Sequence, residues 1–391
     1  MIYLDNNATT AVHPEVLEAM LPFLKDNFLN PSSGYRAAKP VKAALQKARE
    51  QVAALINAEP DEIIFTSCGT ESNNTALKSL ARLVGRKNSL VVTSAIEHSA
   101  VLRPIEAMAA VGFETLTLGV SEDGRFDLEE AERQLDTQAG GKALFASLMW
   151  SNNETGVNQP IEEAVTLLKQ HGAAVHSDAI QAVGKIPVDV RAVPVDMLSL
   201  SGHKLHAPKG VGALFLRKGF RLEPLLRGGG QEFGHRSGTE NVPYIVGLGQ
   251  ACELAMTDHS TGIAVLRDHL EQRLVSEIDG VHLNGSRTHR APNICHVSFD
   301  HCEGAGLLIL LDEAGVQVST GSACMTGKQQ PSHVQKAMGF TDERAKSSLR
   351  ISLSRFTTRE EIDRAAEAIA KAVKKLRAIQ SPLTGPVQIY S

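Results

Sequence analysis

Polar and ionisable residues follow five successive predicted strands of the 391-residue chain. The segments are SCGTESNN, AIEHSAV with His98, SNNETG, HSDAIQ with Asp178, and SGHKLHAPKG with Lys204. Because ligands of open parallel sheets bind beyond the carboxyl ends of the strands, these groups are expected to meet at one edge. One such strand end could arise by chance, whereas five predict a site.

Gly69 and Thr70 follow a strand and open a predicted helix. Free N–H groups and the helix dipole there favour an anion such as phosphate, although an ordinary helix N-cap would look the same. The anion does not belong to a P-loop, because the stretch from Gly321 to Lys328 has five residues between its glycines. It also has Gln329 where serine or threonine is required.

Asp178 and Lys204 together point to a particular cofactor chemistry. An aspartate at the end of a buried strand is costly unless it meets a cation. A lysine that holds a cofactor covalently, with an aspartate for a pyridinium nitrogen, is typical of pyridoxal phosphate. Ser201 and His203 flank the lysine and could add hydrogen-bond donors. Either residue alone fits an ordinary ion pair; the whole set predicts the cofactor.

A zinc site is the competing interpretation. His176 and Asp178 are two residues apart, and His203 and His206 are three apart, so together they could hold zinc with an open position. That site would leave the anion position and the lysine without a role.

Cys324 lies in STGSACMTGK, among small and hydrogen-bonding residues rather than in an apolar run. Such neighbours suit an exposed, mobile segment, and a nucleophilic thiolate needs access. Five cysteines without a CxxC pair argue against disulfides and structural zinc. We expect structural roles for the other four, which are Cys68, Cys252, Cys295 and Cys302.

Alternating strand and helix patterns must position these groups. They predict a mostly parallel sheet with helices on both faces, followed from about residue 260 by a smaller α+β domain. In that last third, Thr358 and Glu361 form a capping-box pattern. The predicted strands are 62–66, 90–94, 143–150, 173–177, 197–200 and 211–216, and the predicted helices are 72–84, 161–170, 262–278 and 358–379.

Composition excludes several functional classes. A net charge of −4 argues against a surface built for nucleic acid. No apolar run is long enough to span a membrane. The start MIYLDNNATT lacks a basic region and an apolar core, so we expect a cytoplasmic protein.

These motifs, in this order from residue 3 to 358, resemble the NifS/IscS-type cysteine desulfurases. That group lies in the class V aminotransferase-like branch of fold-type I pyridoxal-phosphate enzymes. The matching segments are YLDNNATT, NPSS, TSCGTESNN, EHSAV, NNETG, HSDAIQAVGKIPVD, SGHKLHAPKGVG, RGGGQEFGHRSGTEN, STGSACMTG and LRISLSRFTT.

The resemblance implies a role for each matching residue. Lys204 would hold the cofactor, Asp178 would pair with its ring nitrogen, and His98 would stack on the ring and move protons. Gln181 and Asn153 would contact the oxygen side of the ring. Thr239 would reach the phosphate of the neighbouring subunit, which implies a homodimer. The implied phosphate ligands within the subunit are Gly69, Thr70, Ser201 and His203.

The implied reaction takes sulfur from L-cysteine and leaves L-alanine. Arg350, with Asn153, would bind the substrate carboxylate, for which the alternative is a surface salt bridge. Cys324 would keep the sulfur as a persulfide and pass it to an acceptor, such as a NifU- or IscU-like iron–sulfur scaffold. A large domain over 13–258 would bind the cofactor, and a small domain of 1–12 and 259–391 would carry the cysteine.

Three alternatives stay open at this point. An aminotransferase of small amino acids has no need of Cys324, and a selenocysteine lyase would act on a related substrate. An inert partner of sulfur assembly would need neither Lys204 nor Cys324.

Overall fold

A computed structural model describes residues 1–257, 260–320 and 330–380. Cys324, most of its predicted mobile segment and the tail from 381 lie outside the described residues. In the described part the strands are β1 Ile2–Tyr3, β2 Ile63–Thr66, β3 Ser89–Ser94, β4 Glu114–Leu118, β5 Ala143–Met149, β6 Ala174–Asp178, β7 Met197–Ser201, β8 Gly212–Leu216, β9 Val281–Leu283, β10 Ile294–Phe299, β11 Val316–Gln317 and β12 Ser348–Ser352. The α-helices are α1 Pro14–Lys25, α2 Lys39–Leu55, α3 Gly69–Val84, α4 Ser99–Ala110, α5 Leu128–Gln138, α6 Ile161–Gln170, α7 Val242–Ala255, α8 Ser260–Glu277, α9 Gly304–Glu313, α10 His333–Ala337, α11 Asp342–Lys346 and α12 Arg359–Gln380.

Seven strands form the main sheet in the order β2-β8-β7-β6-β5-β3-β4. Only β8 runs against its neighbours, β2 and β7, so the other six strands are parallel. The predicted fold class, a fold-type I α/β architecture with a mostly parallel sheet, is therefore confirmed. Because β2, β3, β5, β6 and β7 point the same way, their carboxyl ends share one edge.

Strands β2, β3, β7 and β8 are buried along their whole length, as continuous apolar runs predict for a sheet covered on both faces. All six predicted strands are present within two residues of their predicted ends. The pattern missed β4 because this edge strand, ETLTL, exposes three of its five residues and has no apolar run. Helix α3 begins three residues earlier than predicted, at Gly69.

A second, antiparallel sheet has the order β12-β10-β9, and β1 pairs in parallel with β11. Ile2 and Leu4, at the start of the chain, pack in one apolar cluster with residues of α8, β10, β12 and α12. The capping box of α12 is present, since Thr358 N donates to Glu361 Oε2 (2.9 Å) and Glu361 N donates to Thr358 Oγ1 (3.2 Å). Across the described ranges, the helices are all too short or too polar to cross a membrane.

Candidate active site

The structure brings most of the predicted site residues to the carboxyl edge of the main sheet. Asp178 and Ser201 are the last residues of β6 and β7, and His98 is the N-cap of α4 after β3. Gly69 and Thr70 are the first residues of α3, after β2. The remaining members of this group lie in the turns that follow their strands, and they are Asn153, Gln181, His203 and Lys204.

The start of α3 fits an anion. The N-cap residue, Cys68, makes no capping hydrogen bond with its side chain, so the first-turn amides are not satisfied by a cap. A Cβ at Gly69 would lie 2.2 Å from Ile180 Cδ1, so a larger residue there would force the Ile180 side chain to move. Ser201 Oγ is buried and has no hydrogen-bond partner among the described residues. A phosphate group would satisfy these donors.

Asp178 fits a protonated ring nitrogen. Its side chain is on a residue only 5% exposed, and its oxygens accept from Asn73 Nδ2 at 2.7 Å and Ile180 N at 3.1 Å. Over the described residues no lysine, arginine or histidine forms a salt bridge with it. A buried carboxylate needs a positive partner, and the pyridinium of pyridoxal phosphate is a cation of the required kind. The contact with Asn73 was not predicted from the sequence.

His98 and His203 are held as neutral rings. Burial lowers the pKa of His98; the charges of Lys204 and His333 act in the same direction and that of Asp178 opposes them. Its Nδ1 accepts from Ala100 N at 3.1 Å, which leaves the ring proton on Nε2. Burial, together with Lys204 and other nearby lysines, lowers the pKa of His203 to about 4.

Lys204 lies in a short 3₁₀ turn, Gly202–Lys204, directly after β7. Its Nζ donates to the backbone oxygens of Asn7 and, at 2.8 Å, of Ala8. The N-terminal segment YLDNNATT thus forms part of the lysine's surroundings. None of the residues in this segment was predicted from the sequence to belong to the site.

Asn7 connects several of the site residues. It is almost fully buried, and its backbone oxygen accepts from both Lys204 Nζ and Gln181 Nε2. Its side chain donates to the backbone oxygen of Asn153 at 3.1 Å and accepts from Lys185 Nζ at 3.4 Å. Asn7 therefore links the N-terminal segment to three turns of the main sheet.

Arg350 lies in β12 and is only 3% exposed. It therefore does not form the surface salt bridge that was the alternative to substrate binding. Its guanidinium donates to Asp5 Oδ1 at 2.7 Å and to the backbone oxygen of Asn153 at 3.0 Å. Its Nε is buried without a partner in the described part of the chain. Its backbone also pairs with that of Ser319, which comes five residues before Cys324 in the sequence. The contact between Arg350 and Asp5 was not predicted from the sequence.

Thr239 does not lie at this site within the described part of the chain. It is exposed on the segment before α7, and the described contacts do not join it to Gly69, Ser201 or Lys204. The same segment is tied to the first turn of α3 by Arg236, whose Nε lies 2.9 Å from Glu71 Oε1.

The geometry speaks against the alternative zinc site. His176 is fully buried, and its two ring nitrogens bond Ser147 Oγ (2.8 Å) and Ser199 Oγ (2.9 Å). His206 Nδ1 instead bonds the backbone oxygen of Ala11. In the ranges that the structure describes, no group of three histidine, cysteine or acidic residues could hold a metal ion.

A cavity of about 410 Å³ adjoins Lys204. It is also lined by Lys185, His206, Asn293 and Arg355. Of the predicted cofactor residues, Lys204 lines this cavity, whereas Thr70, His98 and Asp178 do not.

Comparisons with known proteins agree with this geometry. The Aminotransferase class-V family model matches residues 2–365. A protein of Trichormus azollae named cysteine desulfurase is 46% identical over 97% of this chain and 94% of its own length. Cysteine desulfurase NifS of Azotobacter vinelandii is 45% identical over 99% of this chain and 96% of its own length. Among solved structures, a NifS-like protein has a TM-score of 0.89 at 37% identity and covers 96% of this chain and 100% of its own. The NifS-like protein of Rickettsia africae has a TM-score of 0.86 at 33% identity and covers 96% of this chain and 99% of its own.

Proposed function

This chain belongs to the class-V aminotransferase family and is a pyridoxal-phosphate-dependent cysteine desulfurase, and we propose that the residues at its strand ends carry the reaction. One observation supports this assignment most directly. Asp178 is a buried carboxylate without a cationic partner among the described residues, and it ends a strand on the edge where Lys204 and the open start of α3 also lie.

Bound pyridoxal phosphate supplies an electron sink that stabilises negative charge at the substrate Cα. Lys204 would hold the cofactor covalently, and its free amine would take the proton from that carbon. Asp178 keeps the ring nitrogen protonated, and Asn153 and Gln181 bind the oxygen side of the ring. His98, which carries its proton on Nε2, would stack on the ring and move a proton. The phosphate ligands are Gly69, Thr70, Ser201 and His203, with Thr239 from the partner subunit.

Arg350 binds the substrate carboxylate and Cys324 takes the sulfur. The planar guanidinium suits two oxygens, and Asp5 and the Asn153 backbone already hold it in place. A bond forms between Cys324 Sγ and the substrate sulfur as the Cβ–S bond breaks. L-cysteine and one thiol become L-alanine and one persulfide, so atoms and electrons balance without an external oxidant.

The division into a large domain, 13–258, and a small domain of 1–12 with 259–391 is part of this proposal. It is supported by Ile2 and Leu4, which pack with the C-terminal helices, and by the pairing of β1 with β11. The N-terminal residues that follow, Asn7 and Ala8, contact Lys204. The substrate would therefore bind where the two domains meet.

We further propose that the protein is a homodimer in a reducing compartment such as the cytoplasm. Phe28 and Phe233 are 74% and 59% exposed, and Ser32, Phe233 and Glu240 line one shared cavity near Thr239. Large exposed aromatic residues are typical of subunit interfaces. The free thiols among the described residues, Cys68, Cys252, Cys295 and Cys302, suit a reducing environment.

The persulfide would be passed to an acceptor with a free thiolate, for which an iron–sulfur scaffold protein is our candidate. Support comes from the relative in Azotobacter vinelandii, whose name carries the NifS designation. A thiolation pathway would use the same persulfide.

The deciding experiment measures L-alanine and sulfide formed from L-cysteine, with and without a thiol reductant. We expect alanine to stop near one per active site without reductant and to continue with it. Cys324→Ser should abolish sulfide release, while the control Cys302→Ala, at a thiol packed against α12, retains it. Full cysteine turnover by Cys324→Ser would overturn the assignment in favour of an aminotransferase. The wild-type protein should be yellow and Lys204→Ala colourless. An inert scaffold would be colourless in both forms.

A further inference from the structure

Lys185 is close to the site but belongs to none of the roles given above. It lies in the turn that follows β6, where Lys185 N and Ile186 N both donate to Ala182 O. Gln181 and Lys185 contact each other within this turn, since Lys185 Nζ donates to Gln181 Oε1. The preceding Gly184 has φ +73°, and a Cβ there would lie 2.4 Å from Leu205 Cδ2. The backbone conformation and this close contact both favour glycine at position 184.

The amine of Lys185 contacts two side-chain oxygens of the site. It donates to Gln181 Oε1 and, at 3.4 Å, to Asn7 Oδ1. No carboxylate within the described ranges forms an ion pair with it. Burial lowers the pKa of Lys185 well below its ordinary value, and the charges of Lys204 and Arg350 act in the same direction. A lysine is thus kept in a costly position to make two polar contacts.

These contacts fix the orientation of the Gln181 amide. With Oε1 bound to Lys185, the Nε2 group must face the other way, and one of its two N–H bonds is donated to Asn7 O at 3.1 Å. The second N–H is left for the ring oxygen that Gln181 is proposed to bind. Without Lys185, the amide could turn over and present its oxygen instead.

The same network reaches the cofactor lysine. Asn7 accepts from Lys185 through its side chain and from Lys204 through its backbone oxygen. The two amines are close enough for the charge of Lys204 to lower the pKa of Lys185. Because such interactions are mutual, an amine at position 185 also disfavours a proton on the group formed by Lys204.

We propose that Lys185 is a positioning residue of the cofactor site, which holds the Gln181 amide with its N–H group toward the ring oxygen and acts through Asn7 and Gln181 on Lys204. The inference rests on the proposed function, since it assumes that pyridoxal phosphate binds at Lys204. It predicts that Lys185 sets the pH at which the bound cofactor changes colour. A hydrogen bond to the ring oxygen and a nearby cation both lower the proton affinity of the Lys204 linkage.

The test is a pH titration of the visible absorbance of the holoenzyme. Lys185→Met should raise the midpoint by about one pH unit, because it removes both effects. Lys185→Arg, which keeps donors and charge, should stay near the wild-type midpoint, and Lys87→Met, at an exposed lysine, should not change it. If Lys185→Met does not fold, as judged by circular dichroism, the shorter and uncharged Lys185→Gln replaces it with the same expected direction.

A double-mutant cycle separates positioning from a general effect on the fold. Gln181→Leu should also raise the midpoint, and adding Lys185→Met to it should give less than half of the shift seen alone. Additive shifts, or an unchanged midpoint in Lys185→Met, would overturn the inference. A wild-type protein without bound cofactor would instead refute the proposed function, so the two failures are distinguishable.

Discussion

Glu97, next to His98, is the carboxyl group whose protonation is most clearly controlled by its surroundings. It is fully buried, and Ser94 Oγ (2.6 Å) and Met149 N (2.8 Å) donate to its Oε1. Burial raises the pKa of Glu97 to about 8; the charge of Asp178 acts in the same direction, and the two hydrogen bonds oppose it. At neutral pH the Glu97 side chain is therefore mainly protonated. It does not place a second negative charge close to Asp178.

This shift predicts how stability depends on pH. An unfolded glutamate titrates near 4.3, so between that pH and about 8 the folded protein holds one more proton than the unfolded chain. The contribution of Glu97 is complete below pH 4.3, and the free energy of unfolding then falls by about 1.4 kcal/mol per pH unit up to pH 8.

Glu97→Gln should remove this decline, because the amide does not titrate. The measurement is denaturant unfolding of the holoenzyme at pH 5, 6.5 and 8, expressed as the difference from wild type. The exposed Glu132→Gln serves as the control and should leave the slope unchanged. Parallel pH profiles for Glu97→Gln and wild type would show that Glu97 is ionised in the folded state.

At the scale of elements, the capping box of α12 should be independent of catalysis. Thr358 and Glu361 bond each other's backbone N–H groups at the start of the helix, and neither residue contacts the site at the main sheet. Thr358→Ala should lower the free energy of unfolding by about 1 kcal/mol without changing cysteine turnover. Thr358→Ser keeps the hydroxyl and should retain most of the stability. A serine variant as unstable as the alanine variant would contradict the capping role.

At the scale of the whole molecule, the proposed dimer predicts that each active site uses residues of both subunits. Thr239→Ala should weaken cofactor binding, because the cofactor phosphate bound in the other subunit loses a hydrogen-bond donor. Lys204→Ala should have no activity at its own site.

Mixing these two variants gives a direct test. In a heterodimer, the Lys204 of one subunit meets the intact Thr239 of the other, so one of the two sites is complete. We expect the mixture, after subunit exchange, to recover activity above the sum of the two separate variants at limiting cofactor. Simple additivity of the two activities would place Thr239 in its own subunit's site or outside any site.

Local patterns were sufficient for much of the fold and of the site. The start of α3 after β2, the capping box of α12 and the polar residues at the ends of β6 and β7 are contained in short stretches of sequence. Hydrophobic periodicity and turn chemistry act over a few residues, so they are visible without the tertiary structure. Cys324, which lies outside the described residues, is assigned from its sequence surroundings and the family resemblance alone.

Contacts between distant parts of the chain could not be predicted in this way. Lys204 meets the backbone oxygen of Asn7 across 197 residues, and Arg350 meets Asp5 across 345. Edge strand β4 likewise depends on its neighbour β3 more than on an apolar run of its own. The sequence by itself determined which chemical groups follow each strand. Only tertiary packing decided which of them meet, since the pairings of Asp178 with Asn73 and of Lys185 with Gln181 depend on burial and side-chain direction.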